Sequence, residues 1–240
     1  MIKPFLILSL LTLTVMINAQ TRIVEQEKKV FENELGSERI EALNSLVESF
    51  NLLLSSNFSE ETTAGVRITR FLEQLTEQKK DFVYDDNNIQ NALKRIDSSG
   101  FRKDIYLFDT EVDSYSHKDI SVFFDHEEER KSLALPDLNA DFEELEKVID
   151  LTIEPIDTRI DNRMNFNTEG LFLYAMAKAK EKDTTFMQGL KTLWRYGDTS
   201  PTLLLHGQQS MTIAEKASWE YKALVAILIY YPMIWKRFSD

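Results

Sequence analysis

Apolar residues recur at alternating three- and four-residue steps through much of this chain. Ile40, Leu43, Val47, Phe50 and Leu54 form one such series, which places them on a single helical face. Gly36-Ser37 precedes the series and predicts a helix start with Ser37 as N-cap. Ser59 is the expected cap of a second helix, with Glu60 and Glu61 near its positive end and Ile68, Phe71, Leu72 and Leu75 on its apolar face. Asn87 or Asn88 is expected to open a third helix through Ile89, Leu93 and Ile96, closed by Gly100 in the left-handed conformation. Residues 21–35 carry scattered Ile23, Val24, Val30, Phe31 and Leu35, the pattern of a frayed first helix.

The period changes after residue 104. Tyr106, Phe108, Thr110 and Val112 alternate with polar residues, as do Ile120, Val122 and Phe124. Alternation favours two strands of a hairpin joined by 113–118. A helix through Ile105, Phe108 and Val112 is the competing pattern. Phe142, Leu145 and Ile149 then suggest a short acidic helix that ends before Pro155. From Thr168, the expected N-cap of the next element, the pattern is helical again. The almost wholly apolar run Leu171–Ala177 should be central. Asp183 predicts the cap of a helix facing inward with Met187, Leu190 and Trp194 and ending at Gly197. Ser200-Pro201 puts Pro at the first helical position, ahead of an expected buried Leu203–Leu205. Thr212 and Glu215 have the spacing of a capping box. A last helix from Ala223 to Tyr230 should stop at Pro232. The fold class expected is therefore mainly α, a multi-helix bundle or stacked αα-hairpins, with a small β-hairpin in the middle. Seven Gly and five Pro in 240 residues fit long helices better than a many-turned β fold.

The first nineteen residues follow a different logic. Met1-Ile2-Lys3 is a charged start, Phe5 to Ile17 is apolar apart from Ser and Thr, and Ala19 is a small residue before Gln20. That layout is a cleaved secretory signal, too short to span a bilayer, which takes about 20 apolar residues. The expected organisation is a signal peptide at 1–19, helical parts at 20–103 and 155–240 that are able to pack as one domain, and a middle segment at 104–154. Localisation follows as export to the periplasm or the exterior. An exported chain of this size with no Cys is not a disulfide scaffold and has neither thiol catalysis nor thiolate metal sites.

Charge sharpens the picture. Residues 104–154 hold 16 acids and 4 bases, whereas 20–103 hold 15 and 12, and 155–240 hold 9 and 11. Such a balance argues against a nucleic-acid partner, because phosphate binding needs basic surface. The segment offers an acidic surface at Asp125, Glu127, Glu128, Glu129, Asp141, Glu143 and Glu144. A basic protein or a divalent cation, Ca²⁺ foremost, is the partner such a surface would take. The bland alternative is solubility alone.

Other chemistry is thin. The three histidines are His117, in the expected hairpin loop and solvent-facing, His126, in a solvated charge run, and His206, at a helix end. HEEER at 126–130 lacks the second His of a zinc helix. Asn165, Asn167, Glu169 and Gly170 match the start of a calcium loop, but Met176 stands where its bidentate Glu belongs. No nucleophile elbow or phosphate loop occurs, so no catalytic, cofactor or metal residue is assigned. Asn57-Phe58-Ser59 is a glycosylation sequon, with Asn57 expected in a loop. The 13-residue apolar tail, Ala223 to Trp235, is too short to span and suits a buried helix, with a dimer seam or membrane contact as alternatives. The functional expectation is a non-enzymatic binding module with an acidic surface. A secreted hydrolase using Asp or Glu, and an envelope structural protein held by its tail, are the alternatives.

Overall fold

The computed structural model describes residues 24–78, 81–124, 164–197 and 199–239. The described chain is mainly helical, with one two-stranded antiparallel sheet.

Helix α1 (residues 24–35) is docked rather than frayed. Phe31 and Leu35, one turn apart, are both buried. The Phe31 ring meets Phe172 and Trp219 edge-on, at 6.1 and 5.6 Å between centroids. Gly36 alone separates α1 from α2 (Ser37–Asn57), and its φ of +81° makes the corner that glycine adopts without strain. Ser37 is the first helical residue, not the cap, since Gly36 occupies the N-cap position. The inward stripe of α2 is the expected one: Leu43, Val47, Phe50 and Leu54 are buried, together with Leu46 and Leu53.

Helix α3 (Ala64–Thr76) starts at Thr63, four residues later than Ser59 suggested. Phe58 explains the shift. It is buried just beyond α2, and the chain turns around it before a new helix can begin. Helix α4 (Asp86–Ser98) is capped by Asp85, whose carboxylate accepts the Asn88 N–H at 3.1 Å. Gly100, φ +74°, closes it as expected and leads into α5 (Phe101–Ile105). Of the helices that cross α2, α4 makes the largest contact.

The hairpin takes another form. Strand β1 (Tyr106–Phe108) pairs with β2 (Met164–Phe166), in the register Tyr106 opposite Phe166 and Phe108 opposite Met164. Residues 109–114 and 121–123 are 3₁₀ turns instead of strand. Burial shows why the alternation misleads. Ile120 and Phe124 are buried while Val122 between them is 56% exposed, so the aliphatic side chains do not share a sheet face. The expected helix at 142–149 lies outside the described residues, as does Pro155.

The C-terminal half follows its caps closely. Gly170 begins α6 (Leu171–Ala179), two residues after the Thr168 expected, and Phe172, Leu173, Ala175, Met176 and Ala177 are buried. Asp183 caps α7 (Thr184–Tyr196) by accepting the Phe186 N–H, and Gly197 ends it with φ +68°. Ser200 caps α8 (Pro201–Gly207). Leu203, expected inside, is 60% exposed: successive helical residues turn by about 100°, so three consecutive leucines cannot share one face. The Thr212–Glu215 box forms in both directions and opens α9 (Ile213–Lys216).

The tail does not stop at Pro232. Helix α10 (Trp219–Val225) passes through a π turn at Ala226–Tyr230 into α11 (Tyr231–Ser239). Proline lacks an N–H and its ring crowds the carbonyl four residues back. A wider turn ahead of it relieves that conflict, and the helix runs on. Every residue of the π turn is buried, so the tail is core. Phe50 lies 5.2 Å from both Phe71 and Tyr230, and Ser49 hydrogen-bonds the Tyr230 hydroxyl at 2.8 Å. The N- and C-terminal helices thereby share one apolar cluster.

Tyr231 is the exception within that core. Its ring stacks on Tyr106 at 5.6 Å, but its buried hydroxyl has no hydrogen-bond partner among the described residues. An unpaired buried hydroxyl carries a desolvation penalty of about 1–3 kcal/mol that its removal cancels. Tyr231→Phe should therefore be neutral or stabilising by about 1 kcal/mol in urea unfolding. A loss of that size would mean the hydroxyl is bonded.

Candidate functional site

The described half of the acidic segment, residues 104–124, is fastened to the helical body by charge and hydrogen bonding. Asp104 sits on α5 and is buried. Arg39 of α2 donates from Nε to its Oδ2 at 2.5 Å, and the Tyr115 hydroxyl donates to Oδ1 at 2.6 Å. The same hydroxyl accepts the Leu171 N–H at 3.1 Å. Burial and the neighbouring Asp104 carboxylate push the Tyr115 phenol well above its ordinary pKa, so it stays a donor. Gly170 makes this junction sterically feasible. A Cβ there would lie 2.1 Å from the Asp104 carbonyl oxygen.

A second anchor stands beside β1. Arg102 grips Glu111 with both terminal nitrogens, at 2.7 and 2.5 Å, and its guanidinium lies 4.8 Å from the Phe108 ring centroid. Lys103 Nζ lies 3.2 Å from the same carboxylate. Glu111 also accepts the Phe108 N–H at 3.1 Å, which curls the chain into the 3₁₀ turn. Hydrogen bonds from Arg102 come first among the effects that hold the Glu111 carboxyl down at about 2, against an ordinary 4.5.

That depression has a pH consequence. The folded carboxyl holds its proton less tightly than the unfolded one, so it stabilises the fold at pH values above about 4.5. Stability falls as pH drops from about 4.5 towards 2, where the folded group also protonates. The loss should reach a few kcal/mol at most, with Arg102 left unpaired. Glu111→Gln should flatten this part of an acid-unfolding curve, and an unchanged curve would contradict the pairing.

Phe124, the last described residue before β2, stacks on Trp194 at 5.2 Å. Asp125, Glu127, Glu128, Glu129, Asp141, Glu143 and Glu144 all lie outside the described residues, as does His126. The calcium-like spacing at 165–170 dissolves into separate structural roles. Asn165 bonds Asp109 at 2.7 Å, Asn167 is buried and donates to the Lys103 carbonyl at 2.8 Å, and Glu169 lies 3.2 Å from His117. Among the described residues no three His, Asp or Glu side chains gather as metal ligands. His206 is exposed at the end of α8, 3.3 Å from the Gln209 amide. Asn57 is the last residue of α2 rather than a loop residue. Its side chain clamps Val83, donating to the carbonyl at 3.0 Å and accepting the N–H at 2.8 Å.

Surface hollows among the described residues include two that are open to solvent. One, of about 250 Å³, is lined by Glu38, Glu41 and Arg95. The other, of about 490 Å³, contains Glu61 and Glu73, and both carboxylates bond to Arg70 between them. That is an ion-pair arrangement, not an acid and a base facing a substrate bond. No described helix is long and apolar enough to cross a membrane.

Sequence reasoning missed Arg39, Arg102 and Tyr115 as anchors. Glu111 carried no motif signal either: its carboxylate accepts the Phe108 N–H three residues back, but Phe108 has no side-chain oxygen to complete a capping box. Compared with known proteins, the chain matches no family model, no curated sequence and no solved structure.

Proposed function

We propose that this chain is an exported, non-enzymatic interaction module that offers the acidic segment 104–154 to a basic protein partner. The charge partition carries the reading. Residues 104–154 hold 16 acids and 4 bases, while the rest of the chain from Gln20 onward is almost balanced at 24 and 23. Solubility is served by charge spread over the surface. Concentrating it creates a local field that steers an oppositely charged partner.

The anchors support the same reading. Asp104 and Glu111, at the start of the segment, are neutralised by Arg39, Arg102 and Lys103, all from outside it. Asp104 and Glu111 are therefore not among the acids left for a partner. Against the tail-held envelope alternative stands the burial of Ala226–Tyr231 and Ile234.

The test is co-purification of the mature chain from its native envelope at low and high salt. A partner retained at low salt and released at high salt supports the reading, since salt screens exposed charge. No partner under either condition overturns it. Ca²⁺ that raises the melting temperature would instead point to a cation as the ligand.

A further inference from the structure

We infer that the Arg102–Glu111 pair serves as a third strand of the small sheet, covering an outer edge of β1 that would otherwise pair with β1 of a second copy of this chain. The facing of β1 follows from its register. Asn167 donates its N–H to the Ile105 carbonyl at 2.9 Å. Opposed residues in an antiparallel pair alternate between bonded and non-bonded. The peptide groups of Ile105 and Leu107 therefore turn towards β2, and those of Tyr106 and Phe108 turn away from it. The Tyr106 and Phe166 rings, 5.5 Å apart between centroids, agree with a non-bonded position, where side chains lie nearer.

Two side chains meet the outward groups. Arg102 donates from a terminal nitrogen to the Tyr106 carbonyl at 3.3 Å, and Glu111 accepts the Phe108 N–H at 3.1 Å. The guanidinium and the carboxylate are clasped to each other, so together they span the edge as a strand would. The outward N–H of Tyr106 is taken by the Arg102 carbonyl.

Without that cover the edge is self-complementary. In an antiparallel pair centred on Leu107, the Phe108 N–H of each copy meets the Tyr106 carbonyl of the other, a twofold contact. Those are the two groups that Glu111 and Arg102 occupy. Open strand edges invite such pairing, and charged side chains placed on them prevent it. This role is separate from partner recognition by the acidic segment.

Sedimentation equilibrium of the mature chain tests the edge. Two interstrand bonds make a weak contact, so the chains are compared at roughly 1 mM, where a millimolar dissociation constant raises the weight-average mass about 1.5-fold. Glu111→Ala leaves the Phe108 N–H without its acceptor and should show that rise over the wild type. Glu111→Gln keeps an acceptor oxygen and should stay at the wild-type mass. Adding Phe108→Pro to Glu111→Ala should return the mass to the wild-type value, because proline has no N–H and its ring suits the φ of −79° at that position. An unchanged mass in Glu111→Ala overturns the inference. So does association that persists with Phe108→Pro, which would point to another surface. Loss of the helical circular dichroism in Glu111→Ala overturns it too, since the pair would then hold the fold rather than guard an edge.

Discussion

Phe50→Ala should lower the free energy of unfolding by about 3–5 kcal/mol, more than any other single truncation we consider. Phe50 is fully buried on α2, and its ring contacts Phe71 of α3 and Tyr230 of the π turn. Three separate stretches of chain lose packing at once, and the rings around the gap belong to helices that cannot close in independently. A domain is held by only about 5–15 kcal/mol, so such a loss removes a large share of the total. Urea unfolding followed by circular dichroism measures it. Phe50→Leu, which keeps most of the volume, should cost about 1.5 kcal/mol or less. A cost below about 1 kcal/mol for the alanine variant would mean that α2, α3 and the tail do not meet at this ring.

Gly170→Ala should come second, at about 3 kcal/mol. The backbone at Gly170 has φ −79°, which any residue adopts, so the effect is purely one of space. The added methyl would sit 2.1 Å from the Asp104 carbonyl oxygen and 3.0 Å from the Asn167 amide. The first neighbour is backbone and the second is bonded to the Lys103 carbonyl, so neither swings aside cheaply. The turn into α6 must move away from α5, and the Leu171–Tyr115–Asp104 chain of hydrogen bonds should break with it. Tyr115 fluorescence and amide exchange at Leu171 should report that local break alongside the thermal shift. A variant with wild-type stability would show that the close approach of α5 and α6 is not required.

The caps were legible in the sequence because capping is a local matter. Asp183, Ser200 and the Thr212–Glu215 box each bond an N–H within three residues, and all three form where their spacing indicates. Gly100 and Gly197 mark helix ends by the same local rule. Misreadings arise where tertiary packing outweighs local preference. Phe58 must be buried before the chain can start α3, which displaces the start from Ser59 to Thr63. The π turn absorbs Pro232 because the surrounding core keeps the tail helical. At β1 the alternating pattern identified a strand but not its partner, since Glu111 folds back on Arg102 and the pairing passes to residues 164–166.

The candidate site was legible only as charge. The excess of acids between 104 and 154 is visible by counting. Its fastening is not, because Arg39 and Asp104 are 65 residues apart and Tyr115 reaches Leu171 across 56. No short motif records contacts of that span.

The decisive comparison is partner recovery by the wild-type mature chain and by one carrying Asp125→Asn, Glu127→Gln, Glu128→Gln, Glu129→Gln, Asp141→Asn, Glu143→Gln and Glu144→Gln. Both should give the same helical circular dichroism. At low salt the wild type should retain a basic protein that the neutralised chain releases. Equal recovery by both chains would contradict an acidic docking surface.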